Sequence, residues 1–373
     1  MPATDLSPPF TPADQTHMAR ALALAEGAIA LSEPNPRVGC VITSADGRVL
    51  GEGFTQQAGG PHAEIMALRD AAARGEDVRG ATAYVTLEPC SHHGRTPPCC
   101  DALVAAGLAR VVAAVQDPNE LVSGRGTARL RAAGIQVDVG LGEARSRELN
   151  IGFFSRMQRG RPWVRLKAAV SLDGRSALEN GVSQWITSEA ARADGHAWRR
   201  RAGAVLTGIG TVQDDDPRLD VRLVPTPRQP LRVVLDSRLA LSPTARILDA
   251  PGDVLVLSAA EADSARADAL RARGADVLAI GGPDGRIDLP AALRELARRG
   301  VNELHVEAGR TLSGAFAVQR LVDEYLIYMA PTLIGRGRDL AGFGPLTTLA
   351  DAVALQFHDV ARVGPDLRLL ARP

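Results

Sequence analysis

The stretch from Pro61 to Cys99 constrains this chain most. It carries Pro61-His62-Ala63-Glu64 and, further on, Glu88-Pro89-Cys90-Ser91-His92-His93-Gly94-Arg95-Thr96-Pro97-Pro98-Cys99. One His and two Cys make a donor set for a zinc ion that keeps a fourth position open for water. A Glu two residues after the His, not itself a ligand, can move protons. These are the parts of a zinc hydrolase that deaminates an amidine-like carbon in a base. The same residues dictate local structure. His62 follows a Pro and opens one helix, and Cys99 follows two Pro and opens another, as Pro near a helix start favours. In mid-helix, positions i and i+2 point about 200° apart, so His62 and Glu64 can serve one centre only from a first turn. Helix N-termini are also the positive ends of the dipole and stabilise thiolates. The reading assigns His62, Cys90 and Cys99 to Zn2+ and Glu64 to catalysis. Glu64 takes a water proton and delivers protons to a ring nitrogen and to the leaving ammonia.

The spacing departs from the general pattern for such deaminases, Pro-Cys-x-x-Cys. Here eight residues, 91–98, separate Cys90 from Cys99, and they include His92, His93, Gly94 and Arg95. A polar loop beside the metal is expected to read substrate rather than to pack.

A chain of 373 residues is too long for one ordinary core, so two domains are expected. Lys plus Arg and Asp plus Glu both number 43. That balance argues against a nucleic-acid partner, which needs a local excess of cations. No basic start followed by an apolar run opens the chain, and no apolar stretch approaches a membrane span, so a cytoplasmic location is expected. All four Cys fall in the first hundred residues. In a reducing cytosol, Cys clustered near a His reads as metal ligation before disulfide. Cys40 and Cys100 read as small buried apolar residues.

In the first half, residues 14–32 give an amphipathic helix stopped by Pro34-Asn35-Pro36. A hairpin of 38–43 and 49–54 follows, then helix 62–73, strand 82–87, helix 99–106, strand 110–115, helix 124–133 and strand 135–139. A hairpin followed by alternating helix and strand gives a three-layer α/β domain, ending near residue 145. Residues 153–161 read as a basic linker. In the second half, strands are expected at 163–170, 204–211, 231–236, 254–258, 277–280, 304–307, 324–330 and 367–371. Helices are expected at 188–201, 260–273 and 290–299, with another opening near Gly309. This is a second α/β domain. Gly309, after a strand and before a helix, is a phosphate-cradle candidate or a plain helix-entry turn. No Gly-x-Gly-x-x-Gly accompanies it.

The motifs resemble one family. Pro-Asn-Pro-Arg-Val-Gly-Cys (34–40), Pro-His-Ala-Glu (61–64), the stretch 86–99 with its long loop between cysteines, and Gln-Asp-Pro-Asn (116–119) are similar to the deaminase half of the bifunctional riboflavin-biosynthesis deaminase/reductases. Leu-Lys-x-Ala-x-Ser-Leu-Asp-Gly (166–174), Ser-Gln-Trp-Ile-Thr (183–187), Asp-Asp-Pro (215–217) and Val-Glu-Ala-Gly (306–309) are similar to the reductase half. The resemblance implies a cytidine-deaminase-like domain over 14–147 and a dihydrofolate-reductase-like domain over 148–373. It implies 2,5-diamino-6-(5-phosphoribosylamino)pyrimidin-4-one as substrate, deaminated at C2, and then NADPH-dependent reduction of the ribosyl side chain to ribityl. Asn35, His92 and Arg95 match positions that hold the base or its tail, with Asp117 and Asn119 in the same pocket. By the same match, NADPH contacts Ala169, Trp185, Thr211, Asp215, Ser237 and the segment from Gly309. The reductase substrate contacts Lys167, Ser183, Arg199, Leu219, Arg222 and Glu307, with Lys167 and Asp215 as candidates to supply a proton. A homo-oligomer is implied as well. Two other readings stand beside this one. One is a nucleoside, base or transfer-RNA deaminase with a non-redox C-terminal domain, against which the inserted loop and neutral charge count. The other is a regulatory chain that binds its ligands without turnover.

Overall fold

The computed structural model describes residues 10–92, 97–119 and 123–373. The chain divides into two compact units, Met1–Arg159 and Gly160–Pro373.

In the first unit, the described helices are α1 (Pro12–Ala25), α2 (Ala63–Ala73), α3 (Cys99–Ala105), α4 (Arg125–Ala132), α5 (Glu143–Leu149) and α6 (Ile151–Arg159). The strands are β1 (Gly39–Thr43), β2 (Val49–Phe54), β3 (Thr82–Val85), β4 (Arg110–Ala113) and β5 (Gln136–Val139), in the order β2-β1-β3-β4-β5. β1 runs antiparallel to β2 and β3, whereas β3, β4 and β5 are parallel. Alternate strand residues face opposite sides. Cys40, Ile42, Ala83, Val85 and Val111 pack with Ala63 and Ala67 of α2, Leu103 of α3 and Leu130 of α4. Val41, Tyr84 and Val112 pack with Met18, Ala21 and Leu22 of α1 on the other side. The result is the three-layer arrangement expected. Two glycines set the close approach of the layers. A Cβ on Gly39 would lie 1.9 Å from the Ala21 carbonyl oxygen, and one on Gly51 would lie 2.3 Å from that of Ala67.

α1 opens on a capping box. Thr11 Oγ1 accepts from the Asp14 N–H, and the Asp14 carboxylate accepts from the Thr11 N–H. The helix is shorter than the expected 14–32. It ends at Ala25, passes through a 3-10 turn at Glu26–Ala28 and reaches a left-handed Ala30, φ 65°. Gly27 is a poor helix former, and the α-helix ends just before it.

The linker expected over 153–161 is instead α6, and α5 precedes it. Phe153 and Phe154 belong to the first unit's core. Asn150 exchanges two hydrogen bonds with the backbone of Arg37, at 2.7 and 2.9 Å. The division after Arg159 therefore lies beyond the boundary expected at 147/148, because this helix pair is bonded into the first unit.

The second unit comprises β6 (Trp163–Ser171), β7 (Arg175–Leu178), α7 (Glu189–Arg201), β8 (Ala204–Gly208), α8 (Ile209–Asp215), β9 (Leu231–Leu235), α9 (Arg246–Asp249), β10 (Val254–Ser258), α10 (Ala265–Arg271), β11 (Ala275–Ala279), α11 (Leu289–Arg298), β12 (Glu303–Glu307), α12 (Arg310–Val318), β13 (Glu324–Ala330), β14 (Gly337–Asp339), β15 (Gln356–Val363) and β16 (Asp366–Arg372). Nine of these strands form one sheet, β11-β10-β9-β8-β12-β6-β13-β16-β15. From β11 to β13 it is parallel, and β16 and β15 extend it antiparallel. β7 and β14 form a separate ribbon. The expected strand 204–211 stops at Gly208, and Thr211 lies in α8. β7, β14 and β15 were not expected. β15 is an edge strand with little burial, so its sequence carries no core-facing pattern.

Beneath α7 an ionic cluster adjoins an apolar one of Ala191, Trp198, Leu326, Tyr328 and Leu370. Arg165 is 2% exposed and pairs with Glu303 and Glu324, which are joined by Arg201 and Arg372. Burial opposes a charged Arg165, and the two carboxylates keep it firmly protonated. No described helix is long and apolar enough to cross a membrane.

Candidate active sites

In the first unit two helix starts and the loop after β3 meet. His62 is the N-cap of α2 in an extended conformation, φ −78° and ψ 170°. Cys99 is the first residue of α3, capped by Pro98. Cys90 follows β3 in the next loop. His62 Nδ1 lies 3.6 Å from Cys90 Sγ and 3.4 Å from Cys99 Sγ, and the three donor atoms lie within 4.8 Å of one another. For tetrahedral zinc with bonds of about 2.05 Å to nitrogen and 2.3 Å to sulfur, the N···S edge is about 3.6 Å. The donor set therefore fits zinc, and Nδ1 is the ring nitrogen that converges.

The electrostatics agree. The Cys99 N–H donates to Cys90 Sγ at 3.3 Å. The Cys99 thiol, then His62, hold the Cys90 thiol down to about 4 against its burial. The same contact with Cys90, reinforced by burial, pushes Cys99 up. A coordinating metal takes both as thiolates. Glu64, in the first turn of α2, is 4% exposed. Burial, then the negative charge of Cys90, pushes its carboxyl up to about 7.

These residues open on a cleft of about 390 Å3. Asn35 and His92 line it, as do Asp117 and Asn119. Arg95 lies outside the described residues. Sequence reasoning missed two contributions. Phe153, Arg156 and Met157 of α6 line the cleft, and their helical spacing was obscured by the reading of that segment as a linker. Glu88 is 3% exposed and accepts from three backbone N–H groups, those of Asp117, Gly124 and Thr127, at 3.2, 2.9 and 3.0 Å. It thereby ties the loop carrying Asp117 and Asn119 to the loop of Cys90. Only its place beside Pro89-Cys90 could have signalled this.

In the second unit the assigned residues gather at the carboxyl ends of the parallel strands, where open α/β sheets bind ligands. Register places Glu307, the last residue of β12, opposite Lys167 of β6. Their charged atoms are 3.6 Å apart. Arg199 of α7 grips Glu307 through both Nε and Nη2, and its Nη1 donates to the Asp220 carbonyl at 3.0 Å. Burial alone would push Glu307 up, but Arg199 and Lys167 hold it well below the usual carboxylate range. Arg222 donates to Asp220 Oδ1 at 2.8 Å. Its N–H donates to His196 Nδ1, and burial, then Arg199 and Arg222, lower His196 to about 4. Lys167 is the single lysine of the chain, every other basic position being Arg or His.

The cofactor candidates lie at the same strand ends. The Gly309 N–H, at the N-cap of α12, donates to Thr211 Oγ1 of α8 at 3.1 Å. This joins the loops after β12 and β8. Ser183 donates to Asp215 at 3.3 Å. Ala169 is half-buried in β6, and Ser237 is in the turn after β9. Trp185 is 66% exposed, with the Arg192 guanidinium 4.5 Å from its ring centroid. Leu219 differs from the rest. Its side chain is buried in the cluster of Val205 and Val234, so it can offer a ligand only backbone.

A three-layer α/β unit that brings a His and two Cys together beside a buried acid is a zinc-dependent deaminase domain, here followed by a separate parallel-sheet unit. Residues 11–115 match the cytidine and deoxycytidylate deaminase zinc-binding region, and residues 162–369 match the RibD C-terminal domain. The riboflavin biosynthesis protein RibD of Escherichia coli K12 is 47% identical over 95% of this chain and 98% of its own length. That of Aquifex aeolicus is 40% identical over 95% and 97%. The solved structure of Acinetobacter baumannii RibD superposes with a TM-score of 0.88 at 42% identity, covering 97% of this chain and 99% of that one. A Thermotoga maritima diaminohydroxyphosphoribosylaminopyrimidine deaminase/5-amino-6-(5-phosphoribosylamino)uracil reductase does so with a TM-score of 0.84 at 34% identity, covering 97% and 99%. The chain belongs to the RibD family, the two-activity deaminase and reductase of riboflavin biosynthesis.

Proposed function

We propose that this chain deaminates 2,5-diamino-6-(5-phosphoribosylamino)pyrimidin-4-one at C2 and then reduces the ribosyl side chain of the product with NADPH. The observation that carries the first step is the convergence of His62 Nδ1, Cys90 Sγ and Cys99 Sγ beside buried Glu64. Zinc held by these three donors supplies a Lewis acid that activates water. Glu64 does the proton work. Buried beside the three donors, it takes a proton from water and releases it again. As the C2–O bond forms, Glu64 passes that proton to the ring nitrogen. As the C2–N bond breaks, the amine leaves as ammonia with the second water proton. Asn35 and His92 hold the base or its tail from the cleft wall, and the resemblance adds Arg95.

The second step rests on the cluster of Lys167, Arg199 and Glu307 beside the Thr211–Gly309 junction. NADPH supplies the hydride. Ala169, Trp185, Thr211, Asp215, Ser237 and Gly309 hold the cofactor. Ser183, Arg222 and the backbone at Leu219, with the Lys167–Glu307–Arg199 cluster, hold the substrate. Hydride adds to C1′ of the ring-opened ribosylamine, the C=N electron pair moves to nitrogen, and nitrogen takes a proton. Both steps are placed in the cytoplasm, on a homo-oligomer with no nucleic-acid or membrane partner.

The test supplies zinc-loaded protein with the diaminopyrimidinone and either NADPH or NADH. Ammonia release, followed by nicotinamide oxidation that depends on it and prefers NADPH, is expected. Ammonia without nicotinamide oxidation refutes the second half. Glu64→Gln is expected to slow ammonia release by about 10²- to 10⁴-fold, and a variant that keeps its rate refutes the role given to Glu64.

A further inference from the structure

The deaminase substrate proposed above carries a phosphate, and its cleft must accommodate that charge. The described lining is poorly suited to a dianion. Glu64, Glu88 and Asp117 contribute carboxyl groups, and His62 is committed to the donor set. Arg156 is the only guanidinium among the described residues that line the cleft, and no ammonium does. It stands in the last turn of α6. Its Nη2 donates to the Pro34 carbonyl oxygen at 3.0 Å, and its guanidinium carbon lies 5.8 Å from the centroid of the Phe153 ring. Its guanidinium is thus held by two contacts on the wall that carries Asn35. Its electrostatics point the same way. Burial disfavours the charge more than Glu33 favours it, yet a guanidinium stays protonated. A half-buried guanidinium on the wall of a cleft can form charge-assisted hydrogen bonds to an incoming anion.

We propose that Arg156 is a specificity-determining residue of the deaminase, gripping the anionic phosphoribosyl tail of the substrate. This rests on the reading of the cleft given above and extends it to a residue that the family motifs did not single out. A planar fork suits a phosphate bidentately, which a lysine in its place would not reproduce. The bond to Pro34 sets the fork's orientation before substrate arrives. It also couples tail recognition to the loop of Asn35.

The test compares the phosphorylated substrate with its dephosphorylated counterpart, in the full zinc-loaded chain. Arg156→Ala and Arg156→Lys are both measured, with zinc content and reduction of pre-deaminated substrate as checks on folding. With the phosphorylated substrate, Arg156→Ala is expected to lose about 10- to 150-fold in kcat/KM, the range of one charge-assisted contact. The loss appears chiefly as a higher KM. With the dephosphorylated compound, wild type and variant converge. Arg156→Lys recovers part of the difference. Ribose 5-phosphate, used as a competitive inhibitor, weakens by a similar factor in Arg156→Ala. An equal loss on both substrates overturns the proposal and makes the residue a brace for the Asn35 loop, and no loss on either also overturns it. If the wild type deaminates neither compound, the reading of the cleft itself fails, an outcome distinct from failure of the Arg156 assignment alone.

Discussion

Glu88→Gln isolates how the deaminase cleft is held together. The substitution keeps shape and volume but replaces one carboxylate oxygen by an NH2 group. In the wild type, Glu88 Oε2 accepts from the N–H groups of Asp117 and Gly124, and Oε1 accepts from that of Thr127. The best glutamine orientation keeps its oxygen on the first pair. Its NH2 then faces the Thr127 N–H, donor against donor, and one buried backbone donor is orphaned. Leaving such a group unsatisfied costs about 1–3 kcal/mol. The two bonds that remain also lose their charge assistance. The neighbouring backbone has little room to relax. A Cβ on Gly126 would already lie 2.1 Å from the Pro89 carbonyl oxygen. We expect a destabilisation of about 2–3 kcal/mol for the first unit, or a midpoint lower by roughly 4–12 °C for a unit of this size. Because Asp117 and Asn119 ride on the same segment, the KM for deamination is also expected to rise, while reduction of pre-deaminated substrate is unchanged. Thermal unfolding followed in parallel with ammonia release measures both. A Glu88→Gln protein within about 0.5 kcal/mol of wild type, with unaltered KM, refutes the claim that this carboxylate organises the loop.

The Asp14 carboxylate offers a test by pH. It is 2% exposed and accepts from Arg110 at 2.7 Å, from Tyr84 at 2.8 Å and from the Thr11 N–H at 2.9 Å. Burial opposes its charge, but Arg110 and these other donors together hold it well below the usual range. A carboxylate with a depressed folded pKa stabilises fully above its unfolded value and loses that contribution as pH falls through the folded one. Asp14→Asn is therefore expected to be less stable by about 3 kcal/mol at neutral pH. Denaturant titrations should show the gap to wild type closing below pH of about 4, and a gap that widens on acidification contradicts the assignment. In the second unit, Glu307→Gln breaks the paired grip of Arg199 and the contact with Lys167. It is expected to lower kcat/KM for reduction by about 100-fold or more while leaving ammonia release intact. Steady-state rates with pre-deaminated substrate decide this, and an unchanged rate removes Glu307 from the site.

Much of the deaminase centre was legible in the sequence because its donors are set by local rules. Pro before His62 and before Cys99 start helices, and helix starts place side chains at an open end. The strand of Gly39 to Thr43 is buried on both faces, so its apolar run marks a strand without showing which residues face which core. The reductase cluster was less legible. Lys167, Arg199 and Glu307 lie far apart in sequence; strand register brings Lys167 beside Glu307, and the packing of α7 on the sheet brings Arg199 to it. Taken singly, Arg199 among three consecutive arginines has the look of a solvated helix face. β15 escaped notice because an edge strand buries little, and α6 because its arginines dominated an amphipathic helix with Phe153 and Phe154 inside.

The sequence by itself determined the chemistry of the metal centre. A His, two Cys and a Glu in that order and context admit few other uses, because ligand type and helix-start geometry are properties of short segments. Motif resemblance carried the family. Only the tertiary structure decided what surrounds that chemistry. It showed that Glu88 serves three backbone donors, that α6 closes the cleft with Arg156 on its wall, and that Leu219 points into the core rather than toward a ligand. Those facts depend on which distant segments pack together, and the burial and hydrogen bonding of a side chain are fixed by its neighbours in space rather than by its neighbours in the chain.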